Sequence, residues 1–130
     1  MKILFIEDDA MNRRVVHDML HVAGLAMDGA DGGRSGIAML ETTPYDVLLL
    51  DLRMPEMDGF DVMRALRSRD DALKDIPIIV VTADTSPNLE EDCRAVGADA
   101  VLFKPIAMQS LFDSIAAIMI ARANPDTPLG

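Results

Sequence analysis

VLLLDLRMPEMDG, residues 47–59, decides the fold. Val47 to Leu50 is an unbroken apolar run that stops at a carboxylate, Asp51. Pro55 to Gly59 is turn chemistry, and Phe60 to Arg67 continues with helical spacing. The same unit recurs on both sides. Ile3 to Ile6 is an apolar run ending in Glu7-Asp8-Asp9, and Asn12 to Ala23 then spaces Val15, Val16, Met19, Leu20 and Ala23 as a helix closed by Gly24. Leu25 to Ala30 is a weaker strand candidate flanked by glycines, and Arg34 to Thr42 is a helix weakened by Gly36. Pro77 to Val81, rich in β-branched residues, ends in Thr82. Leu89 to Val96 is a short amphipathic helix closed by Gly97, Ala100 to Phe103 is a run ending in Lys104-Pro105, and Met108 to Ala121 is the last helix. Five strand-like runs alternate with five helices, which predicts an α/β fold with a parallel sheet covered on both faces.

The 130 residues suit one domain, with no internal repeat and no second unit. Half the residues are hydrophobic and only 4% aromatic, so the core must be aliphatic side chains, Ala and Met. The net charge of −10 repels phosphate backbones and anionic lipid, so no direct nucleic acid binding and no membrane insertion are expected. The single cysteine, Cys93, excludes an internal disulfide and reads as a small, partly buried helix residue. MKILFIEDD is too short and too acidic for a signal peptide or a membrane span, which makes a cytoplasmic location the expectation. Residues 1–122 form the predicted domain; 123–130, with two prolines and a glycine, read as a tail or linker.

Each strong apolar run stops at a chemically useful residue: Glu7 and Asp8, then Asp51, Thr82 and Lys104. In an open parallel sheet the carboxyl ends of the strands share one edge, and ligands bind there. Three carboxylates brought together repel one another unless a cation sits among them. Oxygen-only ligands suit a hard ion such as Mg²⁺. Lys104 can pair with a phosphoryl oxygen as a point charge, and the Thr82 hydroxyl can donate to another. A nucleophile, a metal and two phosphoryl-binding groups are parts suited to phosphoryl transfer, which depends on positioning and charge stabilisation.

The strings FIEDD, LLLDLRMPEMDG, VVTA and FKP, in this order and at these strand ends, resemble the signature segments of response-regulator receiver domains. The resemblance covers residues 1 to about 122 and implies a flavodoxin-like three-layer sandwich with strand order 2-1-3-4-5. It implies that Asp51 is the phosphoacceptor, forming an aspartyl phosphate. Asp8 matches the direct acidic Mg²⁺ ligand, Glu7 its partner acting through water, and Arg53 the residue whose backbone carbonyl binds the metal. Thr82 matches the hydroxyl that moves toward the phosphoryl group and Lys104 the lysine that binds it. Pro105 follows where the family often has a cis peptide bond. EDDAMNRRVVHDML is similar to receivers of multistep phosphorelays, hybrid-kinase receivers and the single-domain DivK type among them.

The implied partners are a histidine kinase or histidine phosphotransfer protein, docked near the first helix and the loop after Lys104, and a downstream protein target. The resemblance points to a switch rather than a turnover enzyme, as a stand-alone regulator or as a receiver cut from a larger hybrid kinase or response regulator. The family position three residues before the lysine is usually aromatic and is Val101 here, so the familiar coupling of a Thr hydroxyl to an aromatic rotamer is excluded in that form. Arg53 and Asp84 flank the path of an attacking water and are expected to tune the lifetime of the phosphorylated state.

Several features have plainer readings. Asp9 reads as a solvated or capping acid and Asp58-Gly59 as a turn. His17 and His21 have zinc-like spacing but lack further ligands, and so read as surface. Met108, Leu111, Ile115 and Ile118 have core spacing. A haloacid-dehalogenase-type phosphatase would need a second acid where Arg53 stands. A flavodoxin-type electron carrier would need a phosphate loop where the three acids Glu7, Asp8 and Asp9 stand.

Overall fold

The computed structural model describes residues 1–123. The chain order is β1 (Lys2–Ile6), α1 (Ala10–Val22), β2 (Ala26–Ala30), α2 (Gly33–Thr42), β3 (Val47–Asp51), α3 (Gly59–Arg67), a single 3₁₀ turn (Ala72–Asp75), β4 (Ile78–Thr82), α4 (Leu89–Val96), β5 (Ala100–Phe103) and α5 (Met108–Ala123). All strand pairs are parallel, in the order β2-β1-β3-β4-β5. This is the flavodoxin-like topology.

Strand alternation divides the core. Leu4, Ile6, Leu48, Leu50, Ile78 and Val80 point to one face, where α2, α3 and α4 supply Leu40, Val62, Leu66, Leu89 and Cys93. Ile3, Phe5, Val47, Leu49, Ile79 and Val81 point to the other, against Val16 and Leu20 of α1 and Leu111 and Ile115 of α5. The runs in β3 and β4 are apolar throughout because both of their faces are covered. β2, at an edge of the sheet, is half exposed and carries Asp28 and Gly29. It reads weakly in sequence for that reason.

Local chemistry sets the helix starts. α1 begins at Ala10, two residues before the expected start at Asn12, because the Asp9 carboxylate accepts the Met11 N–H at 2.8 Å. Gly24, at φ +75°, turns the chain out of α1. Asp58 caps α3 in a reciprocal capping box with Asp61. Gly59 admits the close approach of α3 to the end of β3: a Cβ there would lie 2.7 Å from the Asp51 carbonyl and 2.9 Å from Leu52 Cα.

Two expectations need correction. Met108 is 41% exposed, because the first turn of α5 precedes the point where that helix meets the sheet; Leu111 and Ile115 carry the packing. Cys93 is fully rather than partly buried. α5 runs through Ala123, and the rest of the predicted tail, 124–130, lies outside the described residues.

Candidate functional site

The topology reverses between β1 and β3: the chain leaves β1 for β2 on one side and returns to β3 on the other. The crevice at the carboxyl ends of these strands is a topological switch point. Asp51, the last residue of β3, stands in register with Val81 of β4, and Thr82 with Phe103 of β5. Glu7 directly follows β1, its N–H donating to the Ala30 carbonyl at 2.9 Å. Lys104 directly follows β5, its N–H donating to the Thr82 carbonyl at 2.8 Å, and its peptide bond to Pro105 is cis. The five residues singled out at strand ends therefore meet at one sheet edge.

Carboxylate oxygens of Glu7, Asp8 and Asp51 lie within 4.8 Å of one another, and they form the only such group of three or more His, Cys, Asp or Glu among the described residues. Glu7 is 1% exposed and Asp51 5%, while Asp8 is open to solvent. Lys104 Nζ lies 3.0 Å from Glu7 Oε1 and 3.5 Å from Asp51 Oδ1. Asn12 Nδ2 donates to the same Glu7 Oε1 at 2.6 Å. The second oxygen, Oε2, is buried with no hydrogen-bond partner among the described residues. The Arg13 guanidinium donates to the Glu7 backbone carbonyl.

Two buried acids and one lysine leave excess negative charge. Burial pushes the Asp51 carboxyl up from 3.8 to about 7, the adjacent Glu7 adds to the rise, and Lys104 and the Arg53 backbone N–H oppose it. Burial acts on Glu7 in the same direction, but its contacts with Asp51, Lys104 and Asn12 outweigh it and hold that carboxyl below its usual range. Lys104 is raised: burial opposes its charge, and its contacts with Glu7 and Asp51 more than compensate. A hard divalent cation fits this donor set. It would offset the repulsion between the acids, and oxygen ligands are what such an ion prefers.

Thr82 is fully buried, and its Oγ1 accepts the Asp84 N–H at 3.0 Å. Asp84 accepts from the Ser86 N–H at 2.8 Å, from the Ser86 hydroxyl and from the Arg53 guanidinium. The Ser86 and Arg53 contacts hold its carboxyl down at about 2. Arg53 and Asp84, both expected beside the path of an attacking water, are an ion pair between the loops after β3 and β4. Val101 is half-buried on β5 and packs into the core on the α3 and α4 side. His17 and His21 stack with ring centroids 6.3 Å apart on the exposed side of α1. Sequence reading passed over Asn12 and Arg13, whose spacing from Glu7 signals only a helix start, and the exposed aromatic Phe103.

Over residues 3–116 the sequence matches the response regulator receiver domain family. The chain is a response-regulator receiver domain. This receiver is 33% identical over 119 residues to the chemotaxis protein CheY of Pseudomonas aeruginosa, covering 91% of this chain and 95% of that protein. It is 30% identical over 129 residues to the sensory/regulatory protein RpfC of Xanthomonas campestris pv. campestris, covering 98% of this chain. The receiver spans only 18% of RpfC and about half of the transcriptional regulators it matches. The receiver domain of the sensor histidine kinase PA1611 of Pseudomonas aeruginosa, whose structure holds a magnesium ion in its active site cleft, superposes with a TM-score of 0.78 at 28% identity, over 93% of this chain and 94% of that one. Receiver domains are signalling modules of two-component systems. No helix among the described residues is long and apolar enough to cross a membrane.

Proposed function

We propose that this receiver accepts a phosphoryl group from a partner phosphohistidine onto Asp51 in the presence of Mg²⁺, and signals by a conformational switch or by passing the group on. The observation that carries this reading is the buried Asp51 beside Glu7 and Asp8, with Lys104 at 3.5 Å. Asp8, Asp51 and the Arg53 backbone carbonyl would hold the ion directly, and Glu7 would hold it through water. Bound there, Mg²⁺ supplies the positive charge that neutralises the acids and the incoming phosphoryl oxygens.

The chain's own groups do the rest. An Asp51 carboxylate oxygen attacks phosphorus in line, the phosphorus–nitrogen bond of phosphohistidine breaks, and the imidazole leaves with the bonding electrons. Lys104 turns from the carboxylates to a phosphoryl oxygen. For the Thr82 hydroxyl to follow the phosphoryl group, it must release the Asp84 N–H. That offers a switch needing no aromatic at Val101, because Asp84 anchors both Ser86 and Arg53 ahead of α4.

The donor's docking surface is the apolar groove beside Lys104, lined by Phe5, Val15, Val16, Met19, Pro105 and Ile106. A histidine kinase or phosphotransfer helix with an apolar face suits it, and the location is then cytoplasmic. A second reading, a receiver within a longer hybrid kinase, is favoured by the likeness to RpfC over 98% of this chain.

The test is incubation with acetyl phosphate and Mg²⁺, followed by phosphate-affinity gel and intact mass. Labelling of the wild type that is lost with EDTA and in Asp51→Asn is the expected outcome. Labelling that persists in Asp51→Asn would move the acceptor elsewhere and overturn the reading.

A further inference from the structure

We propose that Asn12 is a positioning residue for the metal site, holding Glu7 so that one of its oxygens stays available to the ion's hydration shell. The inference rests on the Mg²⁺ reading above and deepens it. Glu7 Oε1 takes two donors, Asn12 Nδ2 at 2.6 Å and Lys104 Nζ at 3.0 Å. Oε2 takes none among the described residues, although it is buried. A buried carboxylate oxygen without a partner carries a desolvation cost that a donor from the ion's water would remove. With both donors on Oε1, the carboxylate cannot rotate to satisfy Oε2 internally without losing one of them.

The two donors are not equivalent. Lys104 also touches Asp51 and is the group that follows a phosphoryl oxygen, so its hold on Glu7 is lost when the site is charged. Asn12 has no competing hydrogen-bond partner among the described residues. It is also neutral, so it fixes the carboxylate without adding positive charge to a site that must accept a divalent cation. Its own position is fixed by the start of α1. Asp9 caps that helix, and Arg13, the next residue, donates to the Glu7 backbone carbonyl. The first turn of α1 therefore grips Glu7 by side chain and main chain together, as an outer layer of hydrogen bonds commonly does for metal ligands.

The experiment measures Mg²⁺ affinity directly by isothermal titration calorimetry, with no phosphodonor present. It compares wild type, Asn12→Ala, Asn12→Ser and, as a control, Arg14→Ala, whose exposed side chain pairs with Asp18 at 3.4 Å, away from the acids. Asn12→Ala is expected to raise the Mg²⁺ Kd by about 10-fold or more, as loss of such outer-layer partners does, with Arg14→Ala unchanged. In acetyl phosphate labelling, the half-saturating Mg²⁺ concentration should move with the Kd while the rate at saturating Mg²⁺ stays within about twofold. Should Asn12→Ala fail to fold, Asn12→Ser, which is too short to span the contact, carries the same expectation. Wild-type binding with an unchanged Kd in the Asn12 variants would sink this inference alone. A fall in the saturated rate at an unchanged Mg²⁺ requirement would sink it too. A wild type that binds no Mg²⁺ would instead overturn the proposed function beneath it.

Discussion

Replacing Asp51 by Asn should stabilise the metal-free receiver, although it removes the proposed acceptor. Asp51 is 5% exposed, and burial beside Glu7 moves its carboxyl from 3.8 in an open chain to about 7 in the fold. A group raised on folding favours the native state while it is protonated there. That contribution is complete below about pH 4 and is lost as the pH climbs through about 7. Roughly three units at about 1.4 kcal/mol each set a ceiling of about 4 kcal/mol on the cost of ionising Asp51 in the fold. The real figure is smaller, because Glu7 moves the other way within the pair and Lys104 lies 3.5 Å from Asp51. A gain of about 2 kcal/mol for Asp51→Asn near pH 8 is expected, equivalent to a Tm rise of roughly 6–10 °C in a domain of this size. Near pH 5 the wild-type carboxyl keeps its proton, and the gap should shrink to less than about 1 kcal/mol. Urea unfolding followed by far-ultraviolet circular dichroism in EDTA at both pH values reads it. Saturating Mg²⁺ should narrow the gap from the other side by stabilising the wild type more than the variant. A gap of equal size at both pH values, or a wild type more stable than Asp51→Asn in EDTA near pH 8, would refute the charge-crowding argument.

Arg53→Ala removes a partner of Asp84 at the mouth of the site, where the Arg53 side chain is 64% exposed. Its stability should change by less than about 1 kcal/mol, as for other exposed pairs. Loss of the phosphoryl group from Asp51, followed by gel after removal of the donor, should be several-fold faster as water gains access. An unchanged or longer lifetime would count against the pair as a cover. Gly59→Ala forces a Cβ to within 2.7 Å of the Asp51 carbonyl. It should cost about 1–3 kcal/mol in urea unfolding, in the range of other overpacked sites; a neutral result would mean that α3 can slide without disturbing β3.

The order of helices and strands was legible because burial is so uneven. β3 and β4 are covered on both faces and read as plain apolar runs. Asp51, Thr82 and Lys104 stood out because each breaks or follows such a run at the same sheet edge. Met108 misled because periodicity names a face and not where along the helix that face meets the sheet. The Arg53–Asp84 pair and the Asn12–Glu7 bond were out of reach for a different reason. The first joins residues 31 apart on two loops, and the second depends on how α1 seats against β1. Neither distance is written in local spacing. Asp9 and Asp58 fell between these cases: their residue types suit caps, and the helices that follow them take them up as such.

The sheet is a partition as well as a scaffold. α1 and α5 lie on one side of it, and α2, α3 and α4 on the other, with the acid site on the rim between them. A donor seated in the groove by α1 and a reader placed against the α4 side would occupy different territories. Both would touch the same rim, and neither would have to leave for the other to arrive. Selection can then rewrite the choice of donor on one surface without respelling the choice of listener on the other, and the two halves of a signalling circuit can drift apart or be rewired one at a time.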